Sequence, residues 1–256
     1  MPADPRRGRS KATDRQRAAA RRAAEAAARA QAPRHSRTFI GGTVAVLAAL
    51  VALIILGVRQ DQWTADASAA APANTTADGA AVRIGDPDAP VTLTVYEDFL
   101  CPACRSFEDV LGPTLAELVA DGTAAAEYRP IAILDHASPD AYPTRALNAA
   151  AVVTDTAGPE AFLAFHDLLF AHQPAEGGAG LSDAQLIALA ERAGATGPQV
   201  EAGIRERAFQ DWTRRVTDNA GRDGVTSTPT ILINGEPLAE RTPQGLQDAV
   251  RAAAAA

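Results

Sequence analysis

Val91-Thr92-Leu93-Thr94-Val95 alternates apolar and hydroxyl side chains with the period of two that a strand requires, and it runs almost directly into Cys101-Pro102-Ala103-Cys104. Phe107, Val110, Leu111, Leu115, Leu118 and Val119 then recur at helical spacing, so the second cysteine falls in the first turn of a helix. The chain holds 2 cysteines in all. Two residues apart, they close only a local ring and cannot staple distant loops, so their purpose is chemical. At the helix start, free amides and the helix dipole stabilise a thiolate on Cys101. Cys104, one turn later, lies beside it but deeper in the helix. Cys101 is therefore the sulfur that attacks or is attacked first, and Cys104 resolves the mixed disulfide. Pro102 presets φ for the first turn without losing a needed N–H, and Ala103 offers only its backbone N–H. Half a zinc site and a pair of inert core cysteines are the competing readings. The first lacks a second Cys-x-x-Cys, and the nearest downstream histidine is His136. The second leaves Pro102 and the strand-helix setting accidental.

The rest of the chain divides by charge. Residues 1–37 hold eleven of the 24 Lys and Arg but only Asp4, Asp14 and Glu25 among the 31 acidic residues. Residues 39–58 follow without a single charge, flanked by Arg37 and Arg59. Twenty residues at about 1.5 Å each make a helix of about 30 Å, long enough to cross a bilayer. Residues 39–58 are thus expected to be a transmembrane helix. A cleaved signal peptide is the rival, with small-residue sites around Ala65 to Ala69, although the apolar run and its leader are long for one. The basic tail, residues 1–38, is expected to stay in the cytoplasm as a disordered topology signal, with everything after Val58 outside. Trp63 suits an interfacial anchor. Residues 59–80, small and polar without apolar periodicity, read as a flexible linker, and the folded domain is expected to begin at residue 81.

Within residues 81–256 a second strand is expected from 124 to 134. Helices are expected at 142–154, 160–171, 183–193 and 199–219, separated by Pro or Gly signals. Strand character returns at Thr230-Ile231-Leu232-Ile233. Asn234-Gly235 supplies a type I′ turn, Pro237-Leu238 begins the return, and Thr242-Pro243 opens a last helix to about residue 253. The order is β-α-β, a helical insertion of about residues 140–221, then β-β-α: an α/β fold with 47% hydrophobic residues to fill its core. Pro229, in Gly224-Val225-Thr226-Ser227-Thr228-Pro229-Thr230, belongs at a strand start or in a tight cis turn.

Taken together, four segments resemble the DsbA-like branch of the thioredoxin superfamily. They are Tyr96-Glu97-Asp98-Phe99-Leu100 with the cysteine pair, Arg145-Ala146-Leu147-Asn148-Ala149, the stretch from Phe165-His166-Asp167 to Gln173-Pro174, and Gly224 to Thr230 with Asn234-Gly235. The resemblance implies a thioredoxin-like fold and thiol-disulfide exchange at Cys101 and Cys104. It also implies a cis Pro229 beside the pair, where Thr228 offers backbone groups to an extended substrate by strand addition. No cofactor beyond the Cys101–Cys104 disulfide is implied, and no metal. The implied partners are exported proteins bearing cysteine thiols and a membrane quinone-linked partner that restores the disulfide, with no nucleic acid. A reductase or isomerase with the same residues is the near alternative, and a non-catalytic peptide-binding module the distant one. Many relatives have a buried carboxylate six residues before the first cysteine. Here that position is Val95, so Glu97 or a water is the stand-in as proton acceptor for Cys104. His136, His166 and His172 are expected on helix surfaces or loops, and Asp98 as a cap or a solvated residue of the turn.

Overall fold

The computed structural model describes residues 9–30 and 70–255. The expected transmembrane helix at 39–58, the Trp63 anchor and the first half of the 59–80 linker lie outside those residues. Among the described residues, no helix is long and apolar enough to cross a membrane. Within the basic tail, residues 9–30 are helical: α1 is Arg9–Ala30, 22 residues dominated by Ala and Arg. Both residues have high intrinsic helix propensity, which corrects the expectation of a disordered signal.

The second unit holds a five-stranded sheet ordered β1-β3-β2-β4-β5. The strands are β1 (Val82–Ile84), β2 (Val91–Glu97), β3 (Ala124–Pro130), β4 (Thr230–Ile233) and β5 (Glu236–Pro237). β2 runs parallel to β3 and antiparallel to β4. β1 pairs antiparallel with β3 and β5 antiparallel with β4. The crossover between β2 and β3 is α2 (Pro102–Ala120), whose Cys104, Phe107, Leu111, Leu115 and Leu118 are buried at three- and four-residue spacing. On β2, Val91, Leu93 and Val95 are all fully buried. The final helix, α7 (Pro243–Ala254), packs on α2, β2 and β4. Its N-cap Thr242 accepts the Gly245 N–H at 3.0 Å. Asn234 (φ 48) and Gly235 (φ 90) turn the β4–β5 hairpin, as a type I′ turn requires.

The insertion is α3 (Tyr142–Ala171), α4 (Asp183–Arg192), α5 (Pro198–Arg205) and α6 (Gln210–Arg222). The two helices expected at 142–154 and 160–171 abut as α3, broken at Gly158, whose φ of 85° and ψ of −176° are not helical. The single helix expected at 199–219 is two, separated at Arg207 (φ 56). The strand expected to reach residue 134 stops at Pro130, and a 3-10 turn follows at Asp135–Ala137. Strand β1 was not anticipated. The domain also starts before residue 81: Ala73 N–H donates to Asp155 at 2.8 Å, and Trp212 Nε1 donates to the Gly79 carbonyl at 2.7 Å. These bonds tie the end of the expected linker onto α3 and α6.

Arg145 shows how the insertion holds its own loops. The residue is 7% exposed, and its guanidinium donates to the carbonyls of Asp140, Ala179 and Leu181 at 2.6–3.0 Å and to Asp183 at 3.1 Å. Gly180 lies between two of these anchors, where a Cβ would come within 2.3 Å of the Tyr142 ring. R145A strands three carbonyls, so it is expected to cost about 3 kcal/mol, given ~1–3 for each unsatisfied group and partial replacement by water. Denaturant unfolding measures this, and a loss below ~1 kcal/mol would show that water fully replaces the guanidinium.

Candidate active site

Strand β2 delivers the chain to the redox pair through a short turn. The Cys101 N–H donates to the Asp98 carbonyl at 2.9 Å, and Cys101 becomes the N-cap of α2 with φ −72 and ψ 115. Pro102 and Ala103 are exposed, whereas Cys101 is 7% exposed and Cys104 fully buried. The asymmetry expected from sequence is present, but Cys101 is more enclosed than a solvent-facing thiol. Both cysteines are free, so this is the dithiol form. The Thr228–Pro229 peptide bond is cis, with Pro229 buried and Thr228 half-buried. The Thr228 carbonyl accepts the Cys101 thiol at 3.4 Å. The fold thus brings Cys101, Cys104, Thr228 and Pro229 together from segments separated by the whole insertion.

The two sulfurs differ electrostatically. A hydrogen bond from the Cys104 thiol contributes most to lowering the Cys101 pKa to about 5. Burial opposes this, and hydrogen bonds from the Thr228 side chain and from the N–H groups of Cys104 and Ala103 assist it. The two N–H groups are the helix-start part of that stabilisation. Cys104 is pushed far up, first by burial, then by its hydrogen bond to Cys101 and by the charge on Glu97. Cys101 is therefore ionised at neutral pH and Cys104 keeps its proton.

Two supports of the turn were partly or wholly missed in the sequence. Asp98 is fully buried rather than solvated, and its carboxylate accepts the N–H groups of Leu100 and Leu134, each at 2.9 Å. Burial outweighs those bonds and raises its pKa to about 7. Gln173, just after α3, donates Nε2 to the carbonyls of Phe99 and Cys101 at 3.1 and 3.0 Å, pinning the cysteine turn to the insertion.

Behind Cys104 the expectation for His166 needs correction. It is 1% exposed, at the centre of Phe99, Tyr128, Phe162 and Phe170 rings. His166 Nε2 meets Glu97 Oε2 at 2.8 Å, and Nδ1 meets Asp167 Oδ1 at 3.0 Å. Burial works to lower its pKa, but the bonds to Asp167 and Glu97 and the nearby carboxylate charges raise it well above the ordinary range. Glu97, 2% exposed, is the carboxylate whose charge acts on Cys104, while Val95 fills its own position with apolar surface. Glu108, on α2, is pushed up by burial and by the charge on Glu97. His136 and His172 are exposed, as expected. Three signals in the sequence could have found this cluster. Glu97 has the same parity as Val91, Leu93 and Val95 on β2. Glu108 stands four residues after Cys104 and three before Leu111. His166 lies on the helical stripe of Phe162, Phe165, Leu169 and Phe170.

A family model described as Thioredoxin matches residues 75–252. The structure is similar to reduced DsbA from Mycobacterium tuberculosis, at 35% identity and a TM-score of 0.58, covering 68% of this chain and 98% of that one. It is also similar to the reduced disulfide bond oxidoreductase DsbG from the same organism, at 35% identity and a TM-score of 0.60, covering 75% and 97%. Among curated sequences, the Na(+)/H(+) antiporter NhaA 3 of Salinispora tropica is 31% identical over 152 residues, which cover 59% of this chain and 21% of the antiporter. The chain spans about a fifth of the length of the curated relatives it matches.

Proposed function

This chain belongs to the DsbA-like branch of the thioredoxin family, and from that premise we propose that it exchanges a disulfide between Cys101–Cys104 and the cysteine pairs of other proteins, chiefly as a donor to exported ones. The observation that carries this reading is the Cys101 sulfur at the N-cap of α2, its pKa lowered to about 5, with the cis Thr228–Pro229 bond beside it. A substrate thiolate attacks Sγ of Cys101 in the oxidised pair, the Cys101–Cys104 bond breaks, and Cys104 departs with the electron pair and takes up a proton. A second substrate thiolate attacks the substrate sulfur of the mixed disulfide, and Cys101 leaves as the thiolate. Two electrons pass from substrate to the pair. A thiolate stabilised to this degree is a good leaving group, and it stabilises the reduced protein, both of which favour donation. Thr228 and Pro229 border the edge where an extended substrate segment adds. Pro102 and Ala103 form the exposed lip of the site.

In this reading residues 39–58 anchor the chain as a single-pass helix with residues 1–38 cytoplasmic, and a quinone-linked membrane partner restores the disulfide. Reduction or isomerisation would use the same atoms in another direction. The reduction potential of the full chain decides between them. A value near about −120 mV supports donation, and one near about −270 mV supports reduction. A chain unable to oxidise a reduced model protein would instead be a binding module.

The potential should also carry a pH signature. Above about pH 5, reduction consumes one proton, at Cys104, because Cys101 stays ionised. The expected slope from about pH 6 to 8 is therefore about 30 mV per unit, steepening towards about 60 mV below the Cys101 pKa, where two protons enter. A two-proton slope throughout would show that Cys101 is an ordinary thiol.

A further inference from the structure

We propose that Glu97, Glu108 and His166 form a binding site for one divalent cation of the zinc class, buried behind the cysteine pair. Each of the three offers a donor atom, and these atoms all lie within 4.8 Å of one another. One imidazole nitrogen with two carboxylates suits zinc and similar divalent transition metals, whereas calcium and magnesium prefer oxygen-only shells of higher number. The ligands come from three separate elements, β2, α2 and α3, so the tertiary fold and not a local motif assembles them.

Two observations point to an occupant beyond the cluster itself. Oε1 of Glu97, on a side chain 98% enclosed, has no hydrogen-bond partner, and Oε1 of Glu108 is likewise buried without one. The imidazole engages Oε2 of Glu97, and the side chains of Glu97 and Glu108 otherwise face each other, a contact that is a hydrogen bond only while one carboxyl is protonated. In addition, Asp167 Oδ1 holds His166 Nδ1 at 3.0 Å, so that Nε2 is aimed at Glu97. An outer carboxylate on the far nitrogen is the arrangement that orients metal-binding imidazoles and raises their basicity. Metal-ligand bonds of about 2.0–2.2 Å set donors roughly 3.3 Å apart, so Nε2 and Oε2 need open from 2.8 Å by only about half an ångström. Two carboxylates and a neutral imidazole carry the two negative charges that balance such an ion.

A cleft borders the site at Glu108. It measures about 460 Å³, lies between α2 and α3, and is lined by Glu108 and Asp167 together with Leu115, Tyr128, Leu163 and Phe170. Water from this cleft completes the coordination. The cysteines are not ligands, so the ion can bind in either redox state of the pair.

The test uses the full chain, stripped with chelator and fully oxidised so that no thiol can bind metal. Zinc is titrated against a chromophoric chelator, and cobalt is added separately to read its visible spectrum. The expected result is one ion per chain, with a four-coordinate cobalt spectrum free of thiolate charge-transfer bands. E108Q and H166Q should weaken binding by about 100-fold or more, and D167N, which keeps all three donors, by about 10- to 100-fold. The cobalt spectrum of the unaltered protein decides the matter even if a variant fails to fold. Absence of saturable binding would mean a histidine–carboxylate ion pair only and would overturn the proposal. So would binding seen only in the reduced protein, or affinity unchanged in folded E108Q.

Discussion

In the reduced protein at about pH 6, iodoacetamide is expected to alkylate Cys101 about 100-fold faster than Cys104, or more. With its pKa lowered to about 5, Cys101 is mostly thiolate at that pH. An unperturbed thiol, titrating near 8.5, would be under ~1% ionised. Part of that gain is returned, because nucleophilicity falls with basicity at a Brønsted coefficient of about 0.4–0.5. Over roughly 3.5 units the loss is about 25- to 55-fold, set against a thiolate gain of about 300-fold, so Cys101 still outpaces an ordinary cysteine by roughly tenfold. Cys104 suffers twice. It is fully buried, and burial, its bond to Cys101 and the Glu97 charge keep it protonated across the working range. The labelling rate of Cys101 should fall only as pH drops through about 5. Comparable labelling of both thiols, or a titration midpoint near 8.5, would mean that the helix start does not stabilise the thiolate.

What the sequence revealed about this site follows from how local each feature is. The cysteine pair, the strand before it and the helix after it occupy Val91–Ala120 almost without a gap, and period and motif together define them. Asn234-Gly235 announces its hairpin because only a few residue types accept two positive φ angles in succession. Strand β1 escaped notice because three residues, Val82–Ile84, are too few for a period, and they are held by pairing with β3 some forty residues later. Residues 70–80 read as linker because small polar residues look alike in a tether and in a segment fixed by backbone bonds to Asp155 and Trp212. The Glu97–His166 contact spans 69 residues of chain. Each partner sits on a legible buried face, yet nothing in one sequence says that the two faces meet. The spacing of a histidine to the cysteines says nothing about carboxylates brought to it from other elements.

Replacing Cys104 should turn a transient intermediate into a lasting one. In C104S, Cys101 can still attack a disulfide-bearing model substrate, or be joined to it by oxidation, but no second thiolate stands next to the mixed disulfide to release it. An intramolecular thiol acts at an effective concentration of ~mM or higher, so its loss should lengthen the lifetime of the adduct by about 100-fold or more when external thiol is kept in the micromolar range. Non-reducing electrophoresis should then show the adduct accumulating in C104S, absent in C101S, and scarce in the unaltered chain. Comparison with C104A separates two roles of the same residue. The Cys104 thiol supplies the largest contribution to the low Cys101 pKa. A serine hydroxyl keeps a donor at that position and alanine does not, so the Cys101 midpoint should rise more in C104A than in C104S, while both variants trap. Adduct formed by C101S instead would assign the entry role to Cys104. An equal midpoint in C104S and C104A would mean that the N–H groups of Ala103 and residue 104, with Thr228, carry the stabilisation without the second side chain.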